Sequence, residues 1–241
     1  QLAWTAPDTL DGANDDSTEV DFGVGNLFEQ NRFPGLDRYE EGGRANLGLR
    51  FSREAPGGLT LGFTGGRVYR FDTSDQFDQS SGLAGDRSDW LTQVDVDYRD
   101  VLRFRNTTLL SEDSRPARSE TRLSLRGYGA TLTSSYVWQR ADTRDDLNAD
   151  VSEIAATASY GFNDTWFASA QVRRDLEFGR TNFREFGLGY QNECIRVDLS
   201  AVQRFRRTSD TEPVTRYGVT VTLAGLGSNE TLRRRACANR G

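Results

Sequence analysis

The side chains that could do chemistry in this chain are carboxylates, hydroxyls and two cysteines, because histidine is absent. Without histidine a Ser-His-Asp triad is impossible, and the commonest general base and metal ligand is missing. The paired carboxylates Asp15–Asp16 and Asp145–Asp146 fall in polar stretches typical of loops. They are either solvated loop charges or ligands for calcium or another cation that bridges lipid phosphates. We therefore expect no enzyme, no cofactor and no resident metal.

Two further classes of function are disfavoured by the sequence. The stretch Gly62-Phe-Thr-Gly-Gly66 is followed by neither a helix nor a Lys-Ser/Thr pair, so it does not fit a phosphate-binding loop. Its glycines are more typical of a kinked strand or of close approach by a neighbouring chain segment. The net charge of −6 and the scattered arginines give no basic surface for nucleic acid.

Hydrophobicity repeats with a period of two residues along most of the chain. Only 36% of residues are hydrophobic, but 11% are aromatic and 24 are glycine, which is not the composition of a disordered chain. No run of 18 apolar residues offers a transmembrane helix. The alternation predicts eleven strands, or twelve if Gln1–Thr5 ends another strand. The eleven lie near 45–53, 59–70, 90–98, 101–110, 118–126, 129–139, 151–161, 165–174, 183–191, 194–205 and 215–224.

Such alternation is shared by soluble β-sandwiches and by membrane β-barrels. Many predicted strands have the roughly 9–11 residues that a tilted strand needs to cross a bilayer, which favours the barrel. The connections favour it too, because short and long ones alternate, as periplasmic turns and extracellular loops do. The short ones are Glu54–Gly58, Arg99–Asp100, Gly127–Tyr128, Asn163–Asp164 and Asn192–Glu193; the long ones are 71–89, 111–117, 140–150, 175–182 and 206–214.

Charged and aromatic residues have two interpretations each. Charges that alternate with apolar residues, such as Asp95 and Arg105, either face solvent or line a hydrated lumen; Asp97 and Arg103 follow the same pattern. Large aromatics are expected to form girdles at the membrane interfaces, although some could be ordinary packing residues. The aromatics concerned are Trp90, Trp138, Trp166, Phe186 and Tyr217.

The two cysteines, Cys194 and Cys237, are too few for a disulfide framework and have no CxxC spacing. Cys194 lies beside the short connection Asn192–Glu193, and Cys237 follows the last predicted strand. If the short connections are periplasmic, both cysteines lie in an oxidising compartment where disulfides persist. Free thiols then become the weaker alternative.

A specific stretch near the start resembles a known family. It reads Asn26-Leu-Phe-Glu-Gln-Asn-Arg-Phe-Pro-Gly-Leu-Asp-Arg-Tyr-Glu-Glu-Gly-Gly-Arg-Ala-Asn-Leu-Gly-Leu49. It closely resembles a motif of the LptD family of lipopolysaccharide-assembly proteins, with Leu47 where the family often has Tyr. The segments Gly189–Leu199 and Gly218–Gly227 resemble the family's penultimate hairpin and last strand. The matching motif positions are Asn26, Phe28, Arg32, Phe33, Gly35, Asp37, Arg38, Glu40, Arg44, Gly48 and Leu49.

The resemblance implies an all-β fold, an antiparallel transmembrane barrel segment of about 11–12 strands. The family's barrel has 26 strands, a number within the known range for outer-membrane barrels. With about 11–12 strands, the chain corresponds to roughly the C-terminal half of that barrel. It also implies three regions. Residues 1–44 contain a strand end and a long extracellular loop with the motif, residues 45–227 contain the barrel strands, and residues 228–241 form a periplasmic tail.

The implied function is lipopolysaccharide insertion into the outer leaflet of the cell outer membrane through a lateral gate beside the last strand. Tyr217, Val219, Val221 and Leu223 lie on that strand. The implied partners are lipopolysaccharide, the plug lipoprotein LptE, outer-membrane lipid, and a periplasmic bridge protein reached through the family's N-terminal domain. In the family, cysteines of this region join that domain by disulfides. Cys194 and Cys237 could do the same or could pair with each other.

The sequence leaves the role of the motif charges and the completeness of the barrel open. Asp37, Arg38, Glu40 and Arg44 could form an ion-pair latch that folds over or into the lumen, or could simply structure a long loop. The chain could also be a stand-alone twelve-stranded barrel acting as a porin, an adhesin or a small transporter. An outer-membrane phospholipase is disfavoured by the missing histidine, and a soluble sandwich would need no detergent.

Overall fold

The computed structural model of the chain describes residues 1–5, 20–33, 39–72, 76–142, 147–205 and 214–223. Twelve strands form one antiparallel sheet in which each strand neighbours the next along the chain. Within the described ranges the helical structure is a single 3₁₀ turn, Gln79–Ser81, and no helix there could span a membrane. The strands are β1 (Leu2–Thr5), β2 (Gly42–Ala55), β3 (Leu59–Arg70), β4 (Trp90–Tyr98), β5 (Leu102–Leu110), β6 (Pro116–Gly127), β7 (Ala130–Gln139), β8 (Val151–Gly161), β9 (Trp166–Asp175), β10 (Arg180–Gln191), β11 (Ile195–Arg204) and β12 (Val214–Leu223).

The predicted all-β fold and its eleven strands are confirmed, and the optional twelfth is β1. Every predicted bound lies within three residues of the observed one. The largest differences concern β2, which begins at Gly42, and β10, which begins at Arg180. Because β6 and β10 begin early, the connections 111–115 and 176–179 are shorter than predicted.

The short turns have the backbone geometry that tight hairpins need. Between β6 and β7, Tyr128 and Gly129 both have positive φ, at 50° and 75°. Positive φ at both central residues is the condition for the two-residue turns that match strand twist. Between β2 and β3, Gly57 and Gly58 take the same region, at 92° and 85°.

The chain divides into two compact units, which we describe separately. Unit 1 contains Gln1–Arg122 and Val137–Ser152, and unit 2 contains Leu123–Tyr136 and Glu153–Gly241. In unit 1, β2 to β5 have two distinct faces. On the open face, Leu47, Leu49 and Phe51 are more than half exposed although all are apolar. The covered face contains Arg44, Asn46, Gly48, Gly66, Val68, Leu91 and Leu109, aligned by the strand register.

The core of unit 1 lies on the covered face and is completed by connecting segments. Val68, Leu91 and Leu109 from the strands are buried. They form one cluster with residues of the segment 20–33 and of the β3–β4 connection. The contributing residues are Val20, Phe22, Leu27 and Phe33 from the first and Phe77 and Leu83 from the second. Phe33 stacks on Phe77 at 4.9 Å between ring centroids. Two loops therefore supply the apolar surface that a second sheet or a helix supplies in soluble proteins.

A pair of glycines makes room for this covering. Gly48 and Gly66 are partners in the β2–β3 register, and Leu27 is fully buried above them. A Cβ at Gly66 would overlap Leu27 Cδ2, and one at Gly48 would lie 2.9 Å from the same atom. Any larger residue at these positions would push the segment 20–33 off the sheet.

In unit 2, strands β9 to β12 also have a polar and an apolar face. Phe186, Leu188, Leu199 and Val219 are exposed on the apolar face. The polar face contains Ser169, Gln171, Gly187, Ser200 and Thr220, which the register brings side by side. A Cβ at Gly189 would overlap the Phe167 ring, so this glycine lets the ring lie across the neighbouring strand.

We expect Gly66→Ala in the complete protein to destabilise the covering of unit 1. The added methyl group meets both Leu27 and the Leu47 carbonyl oxygen, and overpacking of this kind costs about 1–3 kcal/mol. The thermal unfolding midpoint should fall, and limited proteolysis of the segment 20–33 should accelerate. Gly25→Ala is the matched control, because a Cβ at that position would meet nothing within 4 Å. Equal midpoints for the two variants would contradict the close approach of Leu27 to the sheet.

Candidate functional site

The most unusual feature of unit 1 is a buried carboxylate surrounded by three buried arginines. Glu40 is fully buried, and Arg32, Arg44 and Arg70 are 4%, 1% and 6% exposed. We call these four residues the Glu40 cluster. Its members come from the segment 20–33, from the residues just before β2, and from the facing ends of β2 and β3, where Arg44 and Arg70 are register partners.

Each arginine reaches the carboxylate differently. Arg32 donates from Nη1 to Oε2 of Glu40 and forms an ion pair with it. Arg70 donates from Nε and Nη2 to Oε1 at 3.2 and 3.0 Å. Arg44 is less direct, since its Nε lies 3.8 Å from Oε2 and its Nη1 donates to the Glu40 carbonyl oxygen at 3.2 Å.

The single carboxylate does not balance three guanidinium charges. Backbone carbonyls accept many of the remaining donors: Leu27 O accepts from Arg32 at 2.8 Å, and Leu83 O accepts from Arg70 at 2.5 Å. Gln30 O accepts from Arg44. The Nε atoms of Arg32 and Arg44 are buried without a hydrogen-bond partner. Because unpaired buried charge is costly, the cluster depends on the Glu40 carboxylate.

Amide side chains fix the backbone around the cluster. Asn46 accepts from Arg32 Nη2 at 3.0 Å. Asn31 Oδ1 accepts from the backbone nitrogens of Phe33 and Glu40, at 3.3 and 3.1 Å. Asn26 closes the turn before it by accepting from Gly23 N and donating to Asp21 O. The motif residues are therefore hydrogen-bonded as a folded segment.

The predicted ion-pair residues are brought together only in part by the described structure. Glu40 and Arg44 meet, whereas Asp37 and Arg38 lie outside the described residues. Two members were missed by sequence reasoning. Arg32 was visible as a motif position, but Arg70 carries no local signal and is identified only by the β2–β3 register.

A cavity of about 370 Å³ lies between the segment Asp21–Gly25 and the covered face. Most arginines around it are paired: Arg105 with Asp95 at 2.6 Å, Arg122 with Glu120 at 2.5 Å, and Arg118 with Asp21. Such a cavity is suited to water and polar groups. The expected alternation of Asp95, Asp97, Arg103 and Arg105 is thus an arrangement of cross-strand ion pairs, because Asp97 also pairs with Arg103 at 3.1 Å.

A second cavity, of about 540 Å³, is lined by carboxylates of the β3–β4 and β5–β6 connections. The four are Asp86, Asp89, Glu112 and Asp113. Burial raises the pKa of the Asp89 carboxyl, while nearby Arg67 acts to lower it. Within the described residues no group of three or more Asp, Glu or Cys side chains could hold a metal ion. The paired carboxylates Asp15–Asp16 and Asp145–Asp146 lie outside the described ranges.

The residues predicted for the gate strand share one face of β12. Tyr217, Val219, Val221 and Leu223 are 83%, 69%, 55% and 46% exposed. Ten consecutive residues of β12 are in register with β11. In the strand order β12 stands last, so in the described part of the chain it has a strand on one side alone.

Cys194 lies in the tight connection between β10 and β11. Its backbone nitrogen donates to Asn192 Oδ1 at 2.9 Å, and Ile195 N donates to the same oxygen at 2.8 Å. Cys194 is not a free thiol. Cys237 lies outside the described residues, so the pairing of the two cysteines stays a prediction.

We expect Glu40→Gln to be among the most destabilising single substitutions in unit 1. It leaves three buried guanidinium groups without a carboxylate, and breaking a buried pair from one side costs about 3–5 kcal/mol. Asp97→Asn is the matched control, because that pair is exposed and such pairs contribute about 1 kcal/mol or less. Chemical denaturation of the complete protein measures both. Equal losses would contradict the role assigned to Glu40.

No curated protein sequence matches the chain, but solved structures of outer-membrane proteins do. Outer membrane phospholipase A from Escherichia coli is 16% identical, with 75% of this chain and 80% of that one covered and a TM-score of 0.33. A mutant porin of Rh. blastica is 13% identical, with 76% and 81% covered and a TM-score of 0.31. Likeness at these scores supports no conclusion about function.

One protein family matches most of the chain. The family model described as LptD, LPS transport system D, matches residues 6–166, well over half of the sequence. The match includes the Glu40 cluster, its motif and the strands β2 to β8. The chain therefore belongs to the LptD family and is a lipopolysaccharide transport component of the outer membrane.

Proposed function

We propose that this chain forms part of the wall of a lipopolysaccharide translocon and carries out no bond-making chemistry. The observation that carries the proposal is the two-faced sheet. The open face of β2 to β5 and the apolar face of β9 to β12 expose large hydrophobic side chains, whereas the opposite faces are polar or covered by loops. In a membrane protein this pattern corresponds to a lipid-facing outside and a hydrated inside.

We assign the sides of the membrane by the connections. The tight turns, such as Tyr128–Gly129, face the periplasm, and the long connections face outward. Residues 1–44 then form a strand end followed by an extracellular segment, residues 45–227 form the wall, and residues 228–241 form a periplasmic tail. Trp90, Trp138 and Trp166 lie at or next to strand ends, which supports the proposed aromatic girdles.

The Glu40 cluster acts as a latch in this proposal. It ties the segment 20–33 and the β3–β4 connection to the start of β2 and the end of β3, so the segment stays folded against the lumen wall. Arg38 and Asp37 belong to the same motif and would extend the latch. The destabilisation expected for Glu40→Gln would release the segment.

Strand β12 forms one side of a lateral gate. The resemblance of Gly218–Gly227 to the family's last strand and the exposed apolar face of β12 support this role. Lipopolysaccharide acyl chains would leave past Tyr217, Val219, Val221 and Leu223 while the sugars cross the lumen. The plug lipoprotein LptE would occupy the lumen, and a periplasmic bridge protein would deliver the lipid through the family's N-terminal domain.

The alternative is a stand-alone twelve-stranded barrel acting as a porin, an adhesin or a small transporter. Closure would require β1 to pair with β12. In the described residues the strand order does not join these two strands. The family membership favours the translocon.

We expect a photo-cross-linking residue at Tyr217 of the complete protein to capture lipopolysaccharide in growing cells. Phe186 is the control, because it is also exposed on the apolar face but lies on β10. Capture at Tyr217 should exceed capture at Phe186 several-fold, and depletion of the protein should lower surface lipopolysaccharide. Equal capture at both positions would contradict the gate. Unchanged surface lipopolysaccharide after depletion would contradict the translocon itself.

We expect a disulfide involving Cys194 to be needed for export. Non-reducing gels of the complete protein should show a mobility shift that is lost in Cys194→Ser, together with reduced surface lipopolysaccharide. Cys237→Ser separates the connectivities. Loss of the same band would indicate a Cys194–Cys237 pair, whereas its survival would indicate a link to the periplasmic domain. The absence of any shift between reduced and non-reduced protein would contradict the tether.

A further inference from the structure

A third cavity lies in unit 2 and reaches the proposed gate strand. Its volume is about 730 Å³, and it opens on the polar face of β9 to β12 near one end of the strands. Three arginines, two phenylalanines and an asparagine dominate its lining: Arg173, Arg204, Arg216, Phe183, Phe205 and Asn182. It is larger than the 370 Å³ cavity of unit 1 and differs from it in charge balance.

The register explains how the arginines converge. Arg173 of β9, Phe183 of β10, Arg204 of β11 and Val214 of β12 form one row across four strands. Arg216 lies opposite Val202 in the adjacent row. Neighbouring strands are about 4.8 Å apart, so the row places cationic side chains on both sides of the Phe183 ring.

Two of these three arginines have no carboxylate partner among the described residues. Arg173 has Glu153 at 3.5 Å. Arg204 lies over the Phe183 ring at 5.7 Å, and in the described part of the chain neither Arg204 nor Arg216 has an ion pair. Glu185 shares their face, opposite Val202 and Gln171. The arginines of the unit 1 cavity, by contrast, are mostly paired with carboxylates.

We infer that this cavity binds the phosphate groups of lipopolysaccharide as the lipid approaches β12. Guanidinium groups bind phosphate through paired, charge-assisted hydrogen bonds, and the phenyl rings offer apolar contact to the same amphiphile. Asn182 and Gln171 add neutral donors suited to sugar hydroxyls. This inference rests on the proposed function, because it names where the transported lipid is held.

The chemistry recognised is a phosphate on a lipid, which phospholipids also carry. The test therefore uses the complete protein with its lipoprotein partner in detergent, and three probes: lipopolysaccharide, chemically dephosphorylated lipopolysaccharide, and phosphatidylglycerol. Dissociation constants are measured for the wild type, for Arg204→Gln/Arg216→Gln and for Arg174→Gln. Arg174 is the matched control because it is adjacent to Arg173 but alternates to the opposite face of β9.

The double variant should bind lipopolysaccharide about tenfold more weakly or worse, since two charge-assisted contacts are lost. It should bind the dephosphorylated form as the wild type does, and Arg174→Gln should change neither. Unchanged lipopolysaccharide affinity, or an equal loss for the dephosphorylated form, would overturn the inference. A loss as large for phosphatidylglycerol would overturn it in favour of a general phospholipid site.

These outcomes are separable from failure of the proposed function. Suppose that the wild type binds lipopolysaccharide and that depletion of the protein lowers surface lipopolysaccharide. Unchanged affinity of the double variant then overturns only the phosphate site. If the wild type binds no lipopolysaccharide and depletion has no effect, the translocon role and the site fall together.

Discussion

The folded arrangement of unit 1 depends on one carboxylate. Glu40 has no exposed surface and receives three arginines that are themselves buried. Without it, the segment 20–33, the start of β2 and the end of β3 would bring three like charges together in a medium of low dielectric constant. With Glu40 in place, backbone carbonyls and Asn46 accept hydrogen bonds from the remaining guanidinium donors. The apolar residues around Leu27 can then close over the sheet. These ion pairs and hydrogen bonds thus fix the position of a hydrophobic core that is covered by connecting segments.

The two units differ in how the charges of their polar side chains are paired. In unit 1 the covered face is filled by loops, and most charges lining its cavity are paired. In unit 2 the polar face of β9 to β12 includes Arg204 and Arg216, neither of which has an ion pair in the described part of the chain.

Period-two alternation was sufficient to predict every strand, because one apolar and one polar face force it. Bounds were least accurate at the starts of β2 and β10, where glycine or polar residues such as Arg180 extend the strand beyond its apolar positions. Of the Glu40 cluster, sequence reasoning identified Glu40 and Arg44 through the motif but not Arg70, which is thirty residues from Glu40 and meets it only through strand pairing. The sequence also did not predict that arginines of β9, β11 and β12 lie close together. Each has the pattern of an ordinary solvated charge, and only the strand register shows that they are neighbours.

That separation along the chain predicts an order of folding events. Arg32 and Glu40 are eight residues apart, whereas Arg70 reaches Glu40 only after β3 has paired with β2 along its full length. Hairpin formation is local and fast, while closing a contact over a longer loop costs more chain entropy. We therefore expect the segment 20–33 to dock on a hairpin that already exists. A nascent chain with β2 and β3 out of register would bury the carboxylate beside the wrong side chain, so the cluster also discriminates between alternative strand registers.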